Sequence, residues 1–97
     1  MTRVVLAAGV RDDFDRIFDF LFEHAPESAA HRIEAIVQAI DVLQLSPLIG
    51  RPAPHGQREL VISTGASGFL ALYHYEPLMD TALVLAVRSQ RERTYKR

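Results

Sequence analysis

The chain has 97 residues, of which 48% are hydrophobic and 24% charged, with a net charge of −1 at pH 7 and no cysteine. A chain this short supports one core, so a single domain over residues 1–97 is expected. Disulfide frameworks, thiol nucleophiles and cysteine-based zinc sites are excluded, and no run nears the roughly 18 apolar residues of a membrane span.

Val4, Val5, Leu6 and Ala7 make a run long enough for a strand and too short for a secretory segment, so a cytoplasmic protein complete from its first residue is expected. From Gly9 the period changes. Val10, Phe14, Ile17, Phe18, Leu21 and Phe22 recur three and four apart, with acids between them, predicting an amphipathic helix whose first turn carries acids that favour the helix dipole. Ala25-Pro26-Glu27-Ser28 interrupts it, and Pro26 suits the first position of a second helix. Ala29, Ile33, Ile36, Val37, Ile40 and Leu43 form that helix's apolar stripe, so the two pack as a hairpin ending at Ser46-Pro47. Residues 47–56 are rich in proline and glycine and predict an irregular connector.

Residues 58–62, 69–75 and 82–88 are rich in strand formers. Turns at Thr64-Gly65-Ala66-Ser67-Gly68 and Glu76-Pro77-Leu78-Met79-Asp80 separate them, giving an antiparallel meander. The last two runs are apolar on both parities, which predicts at least partial cover on both faces. The fold class is α+β: β-α-α-β-β-β, a helical hairpin packed on a twisted, mainly antiparallel sheet.

Charge is divided unevenly. Residues 1–50 carry four arginines against eight acids, whereas residues 51–97 carry seven bases against four acids, so the second half is the face expected to meet an acidic partner. Ten of the eleven bases are arginine, which suits bidentate contact with phosphate or carboxylate. His24, His31, His55 and His74 lie far apart without ligand spacing, so neither a metal nor another cofactor is expected.

Several segments, taken in order, carry a resemblance. Pro47-Leu48-Ile49-Gly50-Arg51, then Arg58-Glu59-Leu60, then Gly68-Phe69 to Leu72-Tyr73, and finally Val87-Arg88-Ser89-Gln90-Arg91-Glu92 to Tyr95 resemble the RelE/ParE toxin superfamily. The resemblance implies the toxin of a type II toxin–antitoxin pair, held harmless by a cognate antitoxin. It further implies one of two targets. RelE-like members cleave messenger RNA on the ribosome with basic side chains and an aromatic ring; ParE-like members poison DNA gyrase. A non-toxic module that keeps only the antitoxin interface, and a homodimer, are compatible with the same residues.

Metal-independent RNA cleavage needs several cations converging on one phosphate and a group to move protons. The catalytic candidates are Arg88, Arg91 and Tyr95, with Tyr95 at a shorter spacing than RelE members show, and His74 as an acid or base on a strand. Where RelE-like nucleases place an arginine after Gly-Tyr, this chain has Leu70, and its only lysine is Lys96. The expectation therefore leans to a ParE-like toxin that is not an enzyme. Arg58, Arg88, Arg91 and Arg93 are the expected target contacts, on a basic edge that also takes in Lys96 and Arg97. Tyr73 and Tyr75 are expected to pack in the core with an amphipathic rim, and Arg58 to serve structure or antitoxin binding. A hydrophobic groove beside the sheet is expected to take an amphipathic antitoxin segment.

Overall fold

In the computed structural model, which describes residues 1–63 and 67–96, the elements in chain order are β1 (Arg3–Leu6), α1 (Ala8–His24), α2 (Ala29–Ile40), a 3-10 turn (Asp41–Gln44), β2 (Arg51–Pro52), β3 (Arg58–Ile62), β4 (Phe69–Glu76) and β5 (Thr81–Ser89). They build one sheet in the order β1-β5-β4-β3-β2. Strands β2 to β5 pair antiparallel, and β1 pairs parallel with β5, Arg3 opposite Thr81 and Leu6 opposite Val84. The fold is thus the expected α+β hairpin on a mainly antiparallel sheet. Residues 64–66 of the turn before β4, and Arg97 of the basic edge, lie outside the described residues.

The helices lie on one face. Val10, Ile17 and Leu21 of α1 and Ile36 and Ile40 of α2 meet Leu60, Ile62, Phe69, Tyr73, Val84 and Val87 of the sheet. Val84 and Val87 both reach that core because β5 carries a bulge: Tyr73 pairs with Val84 and Leu72 with Ala86, leaving Leu85 as an extra residue that resets the alternation. The other face is covered in part, and Leu70 and Ala86 are buried there, outside the main core.

The first helix starts one residue earlier than the periodicity predicts, and its first turn holds no acid. The dipole account of the acids therefore fails, and Asp13 has a different use. β1 leaves β5 after the bond from the Ala7 N–H to the Val84 carbonyl (2.8 Å). Beyond it Asp13, wholly buried, accepts the Val87 N–H (2.9 Å) and thereby stands in for the missing strand. Pro26 sits in a turn rather than opening α2, which begins at Ala29 after the Ser28 N–H has bonded the Ala25 carbonyl (3.1 Å). The connector also contains a short strand. Arg51 and Pro52 pair with Glu59 and Arg58 at the sheet edge, where a proline's missing N–H is tolerated.

Tyr73 fastens that connector to the core. Its ring is wholly buried and its hydroxyl accepts the Gly50 N–H (2.9 Å) while donating to the Pro47 carbonyl (2.7 Å). A Cβ at Gly50 would stand 2.6 Å from the Tyr73 ring, so only glycine fits this approach.

Candidate functional site: the basic terminus and the cleft beside it

After β5 the chain turns back. The Glu92 N–H bonds the Ser89 carbonyl (3.0 Å), and the Glu92 carboxylate accepts the Ser89 N–H (2.8 Å). Arg16 of α1 grips that carboxylate at 2.7 and 3.2 Å and reaches Asp13 at 2.9 Å, which ties the terminal segment to the helix. Burial alone would raise the Glu92 pKa, but the Arg16 and Ser89 hydrogen bonds and the positive charges of Arg16 and Lys96 outweigh it and hold the group below its ordinary value.

On the outer face of the sheet the terminus continues as a relay of contacts. Half-buried Arg88 donates to the carbonyls of Glu92 and Ser89, and its guanidinium lies 5.1 Å from the Tyr95 ring centroid. The Tyr95 hydroxyl donates to Glu59 (2.6 Å), whose other oxygen takes Arg51 at 2.5 and 2.9 Å. Burial, then the bond and charge of Glu59, push the Tyr95 phenol well above its ordinary pKa. For Glu59 burial again works upward, yet the bonds from Tyr95 and Arg51 and the charges of Arg51 and Arg88 leave it depressed.

The structure brings Arg88 and Tyr95 together and leaves the other candidates apart. Arg58 turns its guanidinium to the carbonyls of Leu48 (3.1 Å) and Gly50 (2.8 Å), where it braces the connector. His74 lies half-buried on β4 opposite Leu83, and its imidazole is in no hydrogen bond or ion pair among the described residues. Leu70 is 3% exposed and pairs with Arg88 across the sheet. Arg91 and Arg93 are exposed, Arg91 lying 5.8 Å from the centroid of Phe20. Arg88 differs from the exposed terminal charge that the sequence implies. Its Nε is buried without a hydrogen-bond partner, because the returning chain and Tyr95 cover it.

Beside this terminus, on the helix side, lies a cleft of about 290 Å³. Ile17, Phe20, Leu21 and Phe69 form its apolar walls, and Arg16, Arg32, Arg91 and Glu92 its charged rim. Phe20 is 43% exposed and stacks on His24 with 4.2 Å between ring centroids. Arg32 lies 5.4 Å from the centroid of Phe69 and donates to the Ser67 carbonyl (2.7 Å). A groove beside the sheet is expected from composition, but these residues are not. The one signal for them is Phe20, a large apolar side chain outside the helix's apolar stripe.

Comparisons with known proteins agree with this geometry. The family model described as the ParE toxin of the type II toxin–antitoxin system parDE matches residues 4–94. A curated relative, Toxin RelE3 of Caulobacter vibrioides, is 29% identical over 93 residues, covering 96% of this chain and 99% of its own. The solved structure of a chromosomal ParDE toxin–antitoxin system from P. aeruginosa shares the fold at a TM-score of 0.75 and 22% identity, over 92% of this chain and 96% of that one. A match that spans almost every element, from β1 to the turn after β5, makes this chain a member of the ParE toxin family of type II toxin–antitoxin systems.

Proposed function

We propose that this toxin arrests growth in the cytoplasm by inhibiting DNA gyrase, through the exposed cations of its terminus, and that it does not cleave RNA. The observation that supports this reading is the state of the groups a nuclease would need. Leu70 is buried where a phosphate-gripping arginine would stand, and the guanidinium groups of Arg58 and Arg88 are turned to backbone carbonyls. The Tyr95 proton is already donated to Glu59, and the phenol's raised pKa makes it a poor acid near neutrality. What stays accessible is Arg91, Arg93 and Lys96, an arrangement suited to an acidic protein surface or a phosphate backbone.

Two assays on the purified chain test the reading. Supercoiling by purified gyrase should fall as toxin is added and recover when antitoxin is supplied. Messenger RNA on programmed ribosomes should stay intact. Codon-dependent cleavage on the ribosome, with gyrase unaffected, would replace this reading with the ribonuclease. Full growth of cells expressing the chain without antitoxin would leave only a binding module.

A further inference from the structure

We infer that the chain forms a homodimer, and that two copies join through the uncharged apolar end of the sheet where the first residues, the connector and the β4–β5 turn meet. The inference is independent of what the toxin inhibits.

Of the seven large apolar side chains that are more than half exposed among the described residues, six sit at this end: Met1, Leu45, Leu48, Ile49, Leu78 and Met79. Hydrogen bonds gather their segments. The Thr2 N–H bonds the Gln44 carbonyl (2.9 Å), which sets Met1 beside Leu45. The Thr2 hydroxyl donates to Asp80 (2.6 Å), which brings in the turn that carries Leu78 and Met79. Tyr73 and Arg58 hold the carbonyls of Pro47, Leu48 and Gly50 nearby. Leu78 is 95% exposed, so its side chain does nothing for the fold of one copy. Together the six expose on the order of 800 Å². That exceeds the roughly 300–600 Å² of the largest apolar patch on a typical monomer, and it is about the share of one partner in a stable interface.

Position and charge select the occupant. β4 runs from Phe69, in the wall of the cleft, to Glu76, and β5 runs from Thr81 to Ser89, beside the basic terminus. This end therefore lies about 25 Å from both, and a dimer joined here leaves the cleft and the exposed cations open. Residues 42–50 and 77–79 hold no charged side chain, while Asp41, Glu76 and Asp80 border them, which disfavours nucleic acid and anionic lipid. A second copy meets no such conflict. Arg3 and Glu76 both stand opposite Thr81, one on each neighbouring strand, so they are about 10 Å apart. Neither is in an ion pair among the described residues. A two-fold axis normal to the sheet beside Thr81 sets Arg3 of each copy against the partner's Glu76, so the same surface is complementary to itself.

The test uses the full chain, made by cell-free synthesis and followed by light scattering behind size exclusion. With rising concentration its mass should climb from 10.9 kDa to twice that value, with a micromolar or tighter Kd. Leu78→Glu should stay at 10.9 kDa with an unchanged circular dichroism spectrum. Arg3→Glu and Glu76→Arg should each weaken dimerisation at least about 10-fold, and an equimolar mixture of the two should recover it, because the mixed pair restores both contacts. Since the chain has no cysteine, a spin label on Arg93→Cys reports that site alone, and the two labels should lie more than about 40 Å apart. A chain that stays monomeric at roughly 200 µM overturns the inference. A dimer that survives Leu78→Glu, or labels closer than that separation, puts the contact elsewhere and overturns it too. If the unaltered chain is monomeric and Leu78→Glu instead loses binding to the neighbouring gene's product or to anionic vesicles, this end belongs to the antitoxin or to a membrane, and the pairing of copies is refuted.

Discussion

Replacing Tyr73 by phenylalanine removes one oxygen and leaves the buried ring in place, so its effect isolates two hydrogen bonds. One is accepted from the Gly50 N–H at 2.9 Å and one is donated to the Pro47 carbonyl at 2.7 Å. Gly50 is buried, so its N–H would lose its partner with no water to replace it, at a cost of about 1–3 kcal/mol. Pro47 is only half-buried, and water can recover part of the second bond. A total of about 2–3 kcal/mol follows, a large share of the roughly 5–15 kcal/mol that holds a small domain together. At about 4–8 °C per kcal/mol for a domain of this size, Tm should fall by about 10–20 °C. Circular dichroism melts of the two proteins, checked by urea midpoints with an unchanged slope, provide the measurement. A fall of less than about 3 °C would mean that the connector is not fastened through this hydroxyl.

Gly50→Ala should destabilise to a similar degree by pushing a methyl group into the Tyr73 ring, and adding Tyr73→Phe should cost less than the separate losses combined. Arg91→Ala with Arg93→Ala should abolish growth inhibition at an unchanged Tm, since both side chains are exposed; a folded, fully toxic double variant would move the working surface elsewhere. Arg88→Ala, by contrast, should lower Tm, because that guanidinium holds the returning chain through the Glu92 carbonyl. Leu70→Arg should lose toxicity through folding rather than gain RNA cleavage, as it sets a second guanidinium beside Arg88 at a buried position; an RNA-cleaving variant with an unchanged melt would contradict this. Glu59 and Glu92 are depressed when folded, so their contribution to stability is present above the ordinary carboxylate value of 4.5 and is lost as pH falls through the lower folded values. A plot of Tm against pH should therefore drop below about pH 4.5, and Glu92→Gln should make that drop shallower.

The strands and the hairpin were legible because each has a local period and turn residues at its ends. What had no local signature was pairing at a distance. Nothing in Val4 to Ala7 announces a parallel partner at residues 81–84, and nothing in a run of acids distinguishes Asp13, buried against Val87, from its exposed neighbours Asp12 and Asp15. The basic terminus could be counted but not sorted. Arg58 and Arg88 bond carbonyls, whereas Arg91 and Arg93 face solvent, and only the path of the returning chain decides between those uses. Phe20 and Arg32 are twelve positions apart on different helices, so their shared cleft exists only once the hairpin packs on β4.

The pairing of β1 with β5 gives the toxin a schedule. Of the described strands, the first in the chain has the last as its sheet partner, so Arg3 waits for Thr81 and the sheet cannot be completed until β5 has been made. Closing a loop of that length is slow compared with forming the hairpin, whose contacts are local. A nascent chain stopped before residue 81 therefore has a helical hairpin and part of a meander, but neither β5, which joins β1 to the rest of the sheet, nor the cations at 88–96. On the function proposed above, growth inhibition waits for β5 and the cations that follow it, so an antitoxin already present has the time taken to make residues 7–80 to be at hand when β1 and β5 pair.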